Sequence, residues 1–169
     1  VQLPQGAAEE EPVTQAPSDA RRNSGQPNPP KKVLVIDDNP TIVELVKYAL
    51  PYQGNYEVLG AYDAEEGLRR FYQERPDCVS IDVKMPRMDG FQLVRCLRGD
   101  PTSAHVPLII LSAMIREEDQ AMGYLSGVDE YLTKPFKPAT LGAALERVMK
   151  ITAEQRYQRM RDLAVRHKG

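Results

Sequence analysis

Asp37-Asp38, Asp82, Ser112 and Lys134 are the residues of this chain best suited to phosphoryl chemistry, and each closes a short apolar run. Val33-Leu34-Val35-Ile36 runs into Asp37-Asp38, Cys78-Val79-Ser80-Ile81 into Asp82, Leu108-Ile109-Ile110-Leu111 into Ser112, and Tyr131-Leu132-Thr133 into Lys134-Pro135. Three acids brought together are costly unless a cation or a proton offsets them. A hard divalent ion meets that need, because Mg²⁺ takes carboxylate, carbonyl and water oxygens and accepts phosphate as a further ligand. No Cys/His cluster suits zinc: the two histidines, His105 and His167, stand alone. A carboxylate beside Mg²⁺ can attack phosphorus in line to give an aspartyl phosphate, with Lys134 neutralising the equatorial oxygens and Ser112 donating a hydrogen bond. Asp82 is the nucleophile candidate, because its strand is expected at the centre of a sheet.

Positioning these residues requires a parallel sheet, whose strands all end on one edge and whose ligands bind there. The chain alternates strand and helix signals five times, the pattern of an α/β domain. Asn39 can cap a first helix with Pro40 at its first position, and Ile42, Leu45, Val46, Ala49 and Leu50 form its apolar stripe. Glu57 to Ala61 reads as the second strand, and Asp63 with Glu66 opens a second helix over 64–75. A third helix is expected over about 91–97, and a fourth over 116–126. The fourth is poor in large aliphatics and hence weakly anchored. A fifth begins near Pro138, with Leu141, Ala144, Leu145 and Val148 facing inward. Right-handed crossovers place helices on both faces of the sheet.

With 169 residues, 41% hydrophobic and 27% charged, the chain suits one domain with appendages rather than two domains. Its apolar runs are too short to span a bilayer and its start lacks the regions of a signal peptide, so a cytoplasmic protein is expected. Cys78 and Cys96 read as small core hydrophobes. Residues 1–30, rich in Pro and Glu, lack the large apolar side chains that order a segment and are read as disordered. Residues 31–150 form the expected domain, and 151–169 a basic extension. A basic helix face is usually solvated, and direct nucleic-acid binding is not expected. The chain opens on Val1 rather than Met, as an excised piece would.

At these residues the sequence resembles the receiver domain of bacterial two-component response regulators. The resemblance covers about Lys31 to Lys150 and rests on Val-Leu-Val-Ile-Asp37-Asp38-Asn, Asp82-Val-Lys-Met-Pro86-Arg-Met-Asp89-Gly90, Leu-Ser112-Ala113 and Tyr131-Leu-Thr-Lys134-Pro135-Phe136, in that order. It implies a flavodoxin-like, doubly wound, five-stranded parallel sheet of order 2-1-3-4-5 with five helices. It also implies that Asp82 accepts phosphate from a sensor histidine kinase or phosphotransfer protein. Asp38, Asp82 and the backbone carbonyl of Lys84 would bind Mg²⁺, with Asp37 assisting through water. Lys134 would pair with the phosphoryl group, and a cis bond is implied at Lys134-Pro135. Ser112 would move toward the phosphoryl group and vacate space for Tyr131, so that the face of the fourth helix, fifth strand and fifth helix reports the chemistry to an output protein. Lys84 and Met114 stand where the family tunes phosphate lifetime, and an apolar Met114 is expected to slow hydrolysis.

Two other readings stand beside this one. A Mg²⁺-dependent phosphatase of the haloacid-dehalogenase type also forms an aspartyl phosphate, but such enzymes place a second acid two residues after the nucleophile, where this chain has Lys84. A pseudo-receiver that binds partners without phosphate is opposed by the intact acids, Ser112 and Lys134. After Ile151 no helix-turn-helix fits in the remaining residues. Met149, Ala153, Tyr157, Met160, Ala164 and His167 recur at intervals of three and four, so the fifth helix is expected to extend. That extension could pair with a second copy, dock on a partner, begin a connector or fray, and a homodimer through the fourth-helix face is equally open.

Overall fold

The computed structural model describes residues 27–113 and 116–166, and Met122 through its backbone alone. Its elements run β1 (Lys31–Ile36), α1 (Pro40–Ala49), β2 (Tyr56–Ala61), α2 (Ala64–Glu74), β3 (Cys78–Asp82), α3 (Gly90–Gly99), β4 (Leu108–Ser112), α4 (Glu117–Ser126), β5 (Glu130–Thr133), α5 (Pro138–Met149) and α6 (Ala153–Arg166), with a short 3₁₀ turn at Leu50–Tyr52. The five strands are all parallel in the order β2-β1-β3-β4-β5.

Apolar runs without alternation make the central strands, since a parallel strand is covered on both faces. β3 and β4 are buried along their whole length, whereas the edge strands β2 and β5 are only partly so. The pleat sends alternate side chains to two separate cores. Leu34, Ile36, Val79, Ile81, Leu108 and Ile110 meet Phe71 of α2 and Leu93, Val94 and Leu97 of α3. Val33, Val35, Cys78, Ile109 and Leu111 meet Val43 and Val46 of α1 and Leu141, Leu145 and Val148 of α5. Each such fully buried aliphatic contributes roughly 1.5–3 kcal/mol over its exposed state.

Helix starts lie where capping residues stand. The Asn39 side chain accepts from the Thr41 N–H at 3.0 Å, and Asp63 accepts from the Glu66 N–H at 2.7 Å. Asp89 and Gln92 form a reciprocal capping box at the head of α3, both bonds 2.9 Å long.

Four expectations need correction. Leu45 is 44% exposed and Val43 takes its place in the core, because the face of α1 turns by part of a turn from the expected stripe. Cys96 is exposed on α3, while Cys78 is buried. The third helix is longer than expected at both ends, opening at Gly90 and running on through Arg98 and Gly99 to the Asp100 cap. The fifth helix does not extend: Lys150–Thr152 interrupts it, and Thr152 exchanges side-chain and backbone bonds with Gln155 (2.9 and 3.1 Å) to start α6 as a sixth helix. Residues 1–26 of the segment read as disordered, together with Met114 and His167, lie outside the described residues.

Candidate functional site

The parallel sheet brings the carboxyl ends of β1, β3 and β4 to one edge, and Asp37, Asp38 and Asp82 meet there. One carboxylate oxygen from each lies within 4.8 Å of the others. Asp37 is fully buried and Asp82 is 6% exposed, while Asp38 faces solvent. Lys134, brought by the end of β5, reaches into the cluster: its Nζ donates to Asp37 Oδ2 at 2.5 Å and to Asp82 Oδ1 at 3.0 Å. Asp37 Oδ1 also accepts from the Asn39 N–H at 2.9 Å, so the turn that caps α1 holds this acid in place. The Lys134–Pro135 bond is cis, and the Lys134 N–H donates to the Ser112 carbonyl at 2.8 Å.

Burial pushes the Asp82 carboxyl above its usual range; hydrogen bonding to Lys134 opposes this, and the nearby Asp37 adds to it. Burial works against the Lys134 ammonium too, but its bonds to Asp37 and Asp82 outweigh it and hold the amine protonated beyond the usual range. One cation thus serves two acids while a third stands alongside, the imbalance that a divalent ion corrects. The oxygen-only donor set of Asp37, Asp38 and Asp82, one of them open to solvent, fits Mg²⁺.

The loop after β3 is built tightly around Asp82. Gly90 donates its N–H to the Val83 carbonyl at 2.9 Å, and a Cβ on Gly90 would lie 2.4 Å from the Asp82 carbonyl oxygen. Only glycine lets α3 start so close to the nucleophile candidate. Arg87 in the same loop has φ of 71° and bonds Asp63 at 3.3 Å. A left-handed non-glycine residue costs roughly 1–2 kcal/mol.

Ser112 ends β4 nearly buried, in register with Thr133 of β5. With Lys84, Val83, Phe91, Arg116, Asp119 and Tyr131 it lines a cavity of about 240 Å³. Tyr131, which lines the same cavity, donates its hydroxyl to the Asp119 carbonyl of α4 at 2.8 Å. Lys84 is exposed at the rim.

Sequence reasoning missed the seat of Tyr131. A Cβ on Gly123 would fall 1.4 Å from the Tyr131 hydroxyl oxygen, so the helix lacks a side chain where the ring lies. The signal was a glycine in mid-helix, which costs about 1 kcal/mol against alanine and therefore asks for a packing reason. Asp129, Arg98 and Arg156 were missed as well. Asp129 is buried, and its carboxylate takes Arg98 Nη2 at 3.0 Å, Arg156 Nε at 2.6 Å and the Leu108 N–H at 2.8 Å.

Comparison with known proteins agrees with this geometry. The family model described as the response regulator receiver domain matches residues 33–146. The alkaline phosphatase synthesis transcriptional regulatory protein PhoP of Bacillus subtilis is 37% identical over 120 residues, covering 71% of this chain and 49% of that protein. The DNA-binding dual master transcriptional regulator RpaA of Synechocystis is 36% identical over 121 residues, 72% of this chain and 50% of that protein. The chain therefore spans about half the length of these curated relatives. Among solved structures, the chemotaxis protein CheY4 of Vibrio cholerae superposes with a TM-score of 0.67 at 35% identity, over 70% of this chain and 98% of that one.

Proposed function

The chain belongs to the response regulator receiver domain family, and on that premise we propose that it is a phosphorylation-dependent signalling domain with Asp82 as phosphoacceptor. The observation that carries this reading is the cluster of Lys134, exposed Asp38 and buried Asp37 and Asp82 at the carboxyl edge of the sheet. The phosphodonor is a phosphohistidine of a sensor kinase or phosphotransfer protein. A carboxylate oxygen of Asp82 forms the new O–P bond, the P–N bond of the donor breaks, and its electron pair stays on the imidazole nitrogen.

Asp38, Asp82 and the Lys84 carbonyl would hold Mg²⁺, with Asp37 behind them, and the ion would supply neutralisation of the charge on the transferring group. Lys134 already donates to Asp82 and needs only a small shift to follow the phosphoryl oxygen, so its electrostatic contribution is set in advance. Ser112 turns its hydroxyl to another phosphoryl oxygen, and Tyr131 moves into the cavity between them. Signalling then passes through α4, β5 and α5. The phosphatase alternative loses ground because Lys84, where its second acid would stand, is an exposed cation at the rim. The DNA-binding named for one relative belongs to a protein twice as long as the matched region, so the output partner of this chain is left to experiment.

Intact mass after incubation with a small acyl-phosphate donor tests the reading. One phosphoryl adduct that needs Mg²⁺ and is absent from Asp82→Asn is the expected result. A folded wild-type protein that takes no adduct would point to phosphate-independent binding.

A further inference from the structure

The helix that the sequence left as an unassigned tail folds back over α4. After α5 the chain turns at Lys150–Thr152, and α6 packs against α4. Arg156, 5% exposed, bonds Asp129 Oδ1 at 2.6 Å and the His105 carbonyl at 3.3 Å. Arg159 donates to the Asp129 carbonyl at 2.7 Å and lays its guanidinium 5.8 Å over the ring of Tyr124 on α4. Tyr124 in turn meets Tyr131 edge-on, with ring centres 5.4 Å apart and planes at 69°. A line of contact runs from Tyr131, which shares a cavity with Ser112, through Tyr124 to Arg159 of α6.

We propose that α6 is a state-dependent cover of the α4 face, docked while Tyr131 is seated on α4 and released when Tyr131 turns toward Ser112. This rests on the phosphoacceptor reading, since that reading supplies the movement of Tyr131. The turn of Tyr131 removes its bond to the Asp119 carbonyl and the edge contact that braces Tyr124, and so weakens the platform under Arg159. Release strands no buried acid, because Asp129 keeps Arg98 and the Leu108 N–H. The docked state is itself imperfect: Nη2 of Arg156 is buried without a hydrogen-bond partner among the described residues. A lone helix of 14 residues is marginal in water, so α6 unfolds once it leaves α4. The partner that the cover excludes is whatever docks on α4 in the phosphorylated state.

Hydrogen exchange on the full chain, with and without Mg²⁺ and beryllofluoride as a phosphoryl stand-in, tests this. The expected result is altered protection around Asp82 and Ser112 together with at least about fivefold faster exchange of α6 amides, the smaller end of ordinary coupling. Asp82→Asn should abolish both changes. Linkage is reciprocal, so the exposed Arg159→Ala, and separately Tyr124→Leu, should raise beryllofluoride affinity by a similar factor. Altered protection at the site with α6 unchanged, and an unaltered affinity in both variants, would overturn the cover and leave the phosphoacceptor standing. No change at the site would overturn both.

Discussion

Tyr131 shows how one residue's chemistry depends on the absence of another's side chain. Burial raises its hydroxyl pKa above the ordinary tyrosine value, with the neighbouring Tyr124 and Asp119 adding to the effect. The space for it is the missing Cβ of Gly123. At an exposed helix position Gly→Ala gains about 1 kcal/mol, but here the methyl group collides with the Tyr131 hydroxyl. Overpacking costs roughly 1–3 kcal/mol. Gly123→Ala should therefore destabilise rather than stabilise in urea unfolding, and a tyrosine absorbance titration should show one ring ionising closer to the ordinary range than in the wild type. At this scale the candidate site was largely legible: Asp37, Asp38, Asp82 and Lys134 each end an apolar run, and the topology brings them together. Gly123 was not legible, because its partner lies in another element and no local pattern links them.

Asp129 does at the scale of elements what Lys134 does in the site, with signs reversed: one acid serves Arg98 of α3 and Arg156 of α6. Burial lowers the Arg98 pKa to about 10, an effect that Asp129 opposes. Breaking a buried charge pair by removing one partner costs about 3–5 kcal/mol, because the other charge is left uncompensated. Asp129→Ala leaves two guanidinium groups uncovered and should lose several kcal/mol in urea unfolding. Arg156→Met leaves Asp129 with Arg98 and the Leu108 N–H, so no buried charge is left unpaired and the loss should be clearly smaller than for Asp129→Ala. Similar losses in the two variants would show that the pairing is not what joins these elements. The network also explains why α6 was misread. Apolar periodicity over Ala153, Tyr157, Met160 and Ala164 suggested an amphipathic extension of the fifth helix, yet Tyr157 is 62% exposed and the buried residue is Arg156. A helix that docks through guanidinium groups leaves almost no hydrophobic period to read.

The whole molecule sets a rigid apolar layer beneath a charged edge. Runs such as Val33–Ile36 and Leu108–Leu111 announced central parallel strands, whereas the strand order was implied by the resemblance to receiver domains and not by any local pattern. The turn of α1 that exposes Leu45 was not legible, since several registers of one stripe satisfy the same pattern. Lys134 is one cation against Asp37, Asp38 and Asp82, so the sheet edge keeps a residual repulsion that a bound cation relieves. A ligand that binds the folded state alone stabilises it by RT ln(1 + [L]/Kd), about 2.7 kcal/mol at a hundred times Kd. Mg²⁺ should therefore raise the thermal midpoint of the wild type, by about 2–4 °C for each kcal/mol at this size. Asp38 is exposed and takes no part in the Lys134 pairing, so Asp38→Asn should leave metal-free stability within about 0.5 kcal/mol, as surface substitutions usually do. The same substitution should remove most of the rise with Mg²⁺. A variant that keeps the full rise would place the ion elsewhere, whereas a variant unstable without metal would mean that Asp38 supports the fold rather than the ion.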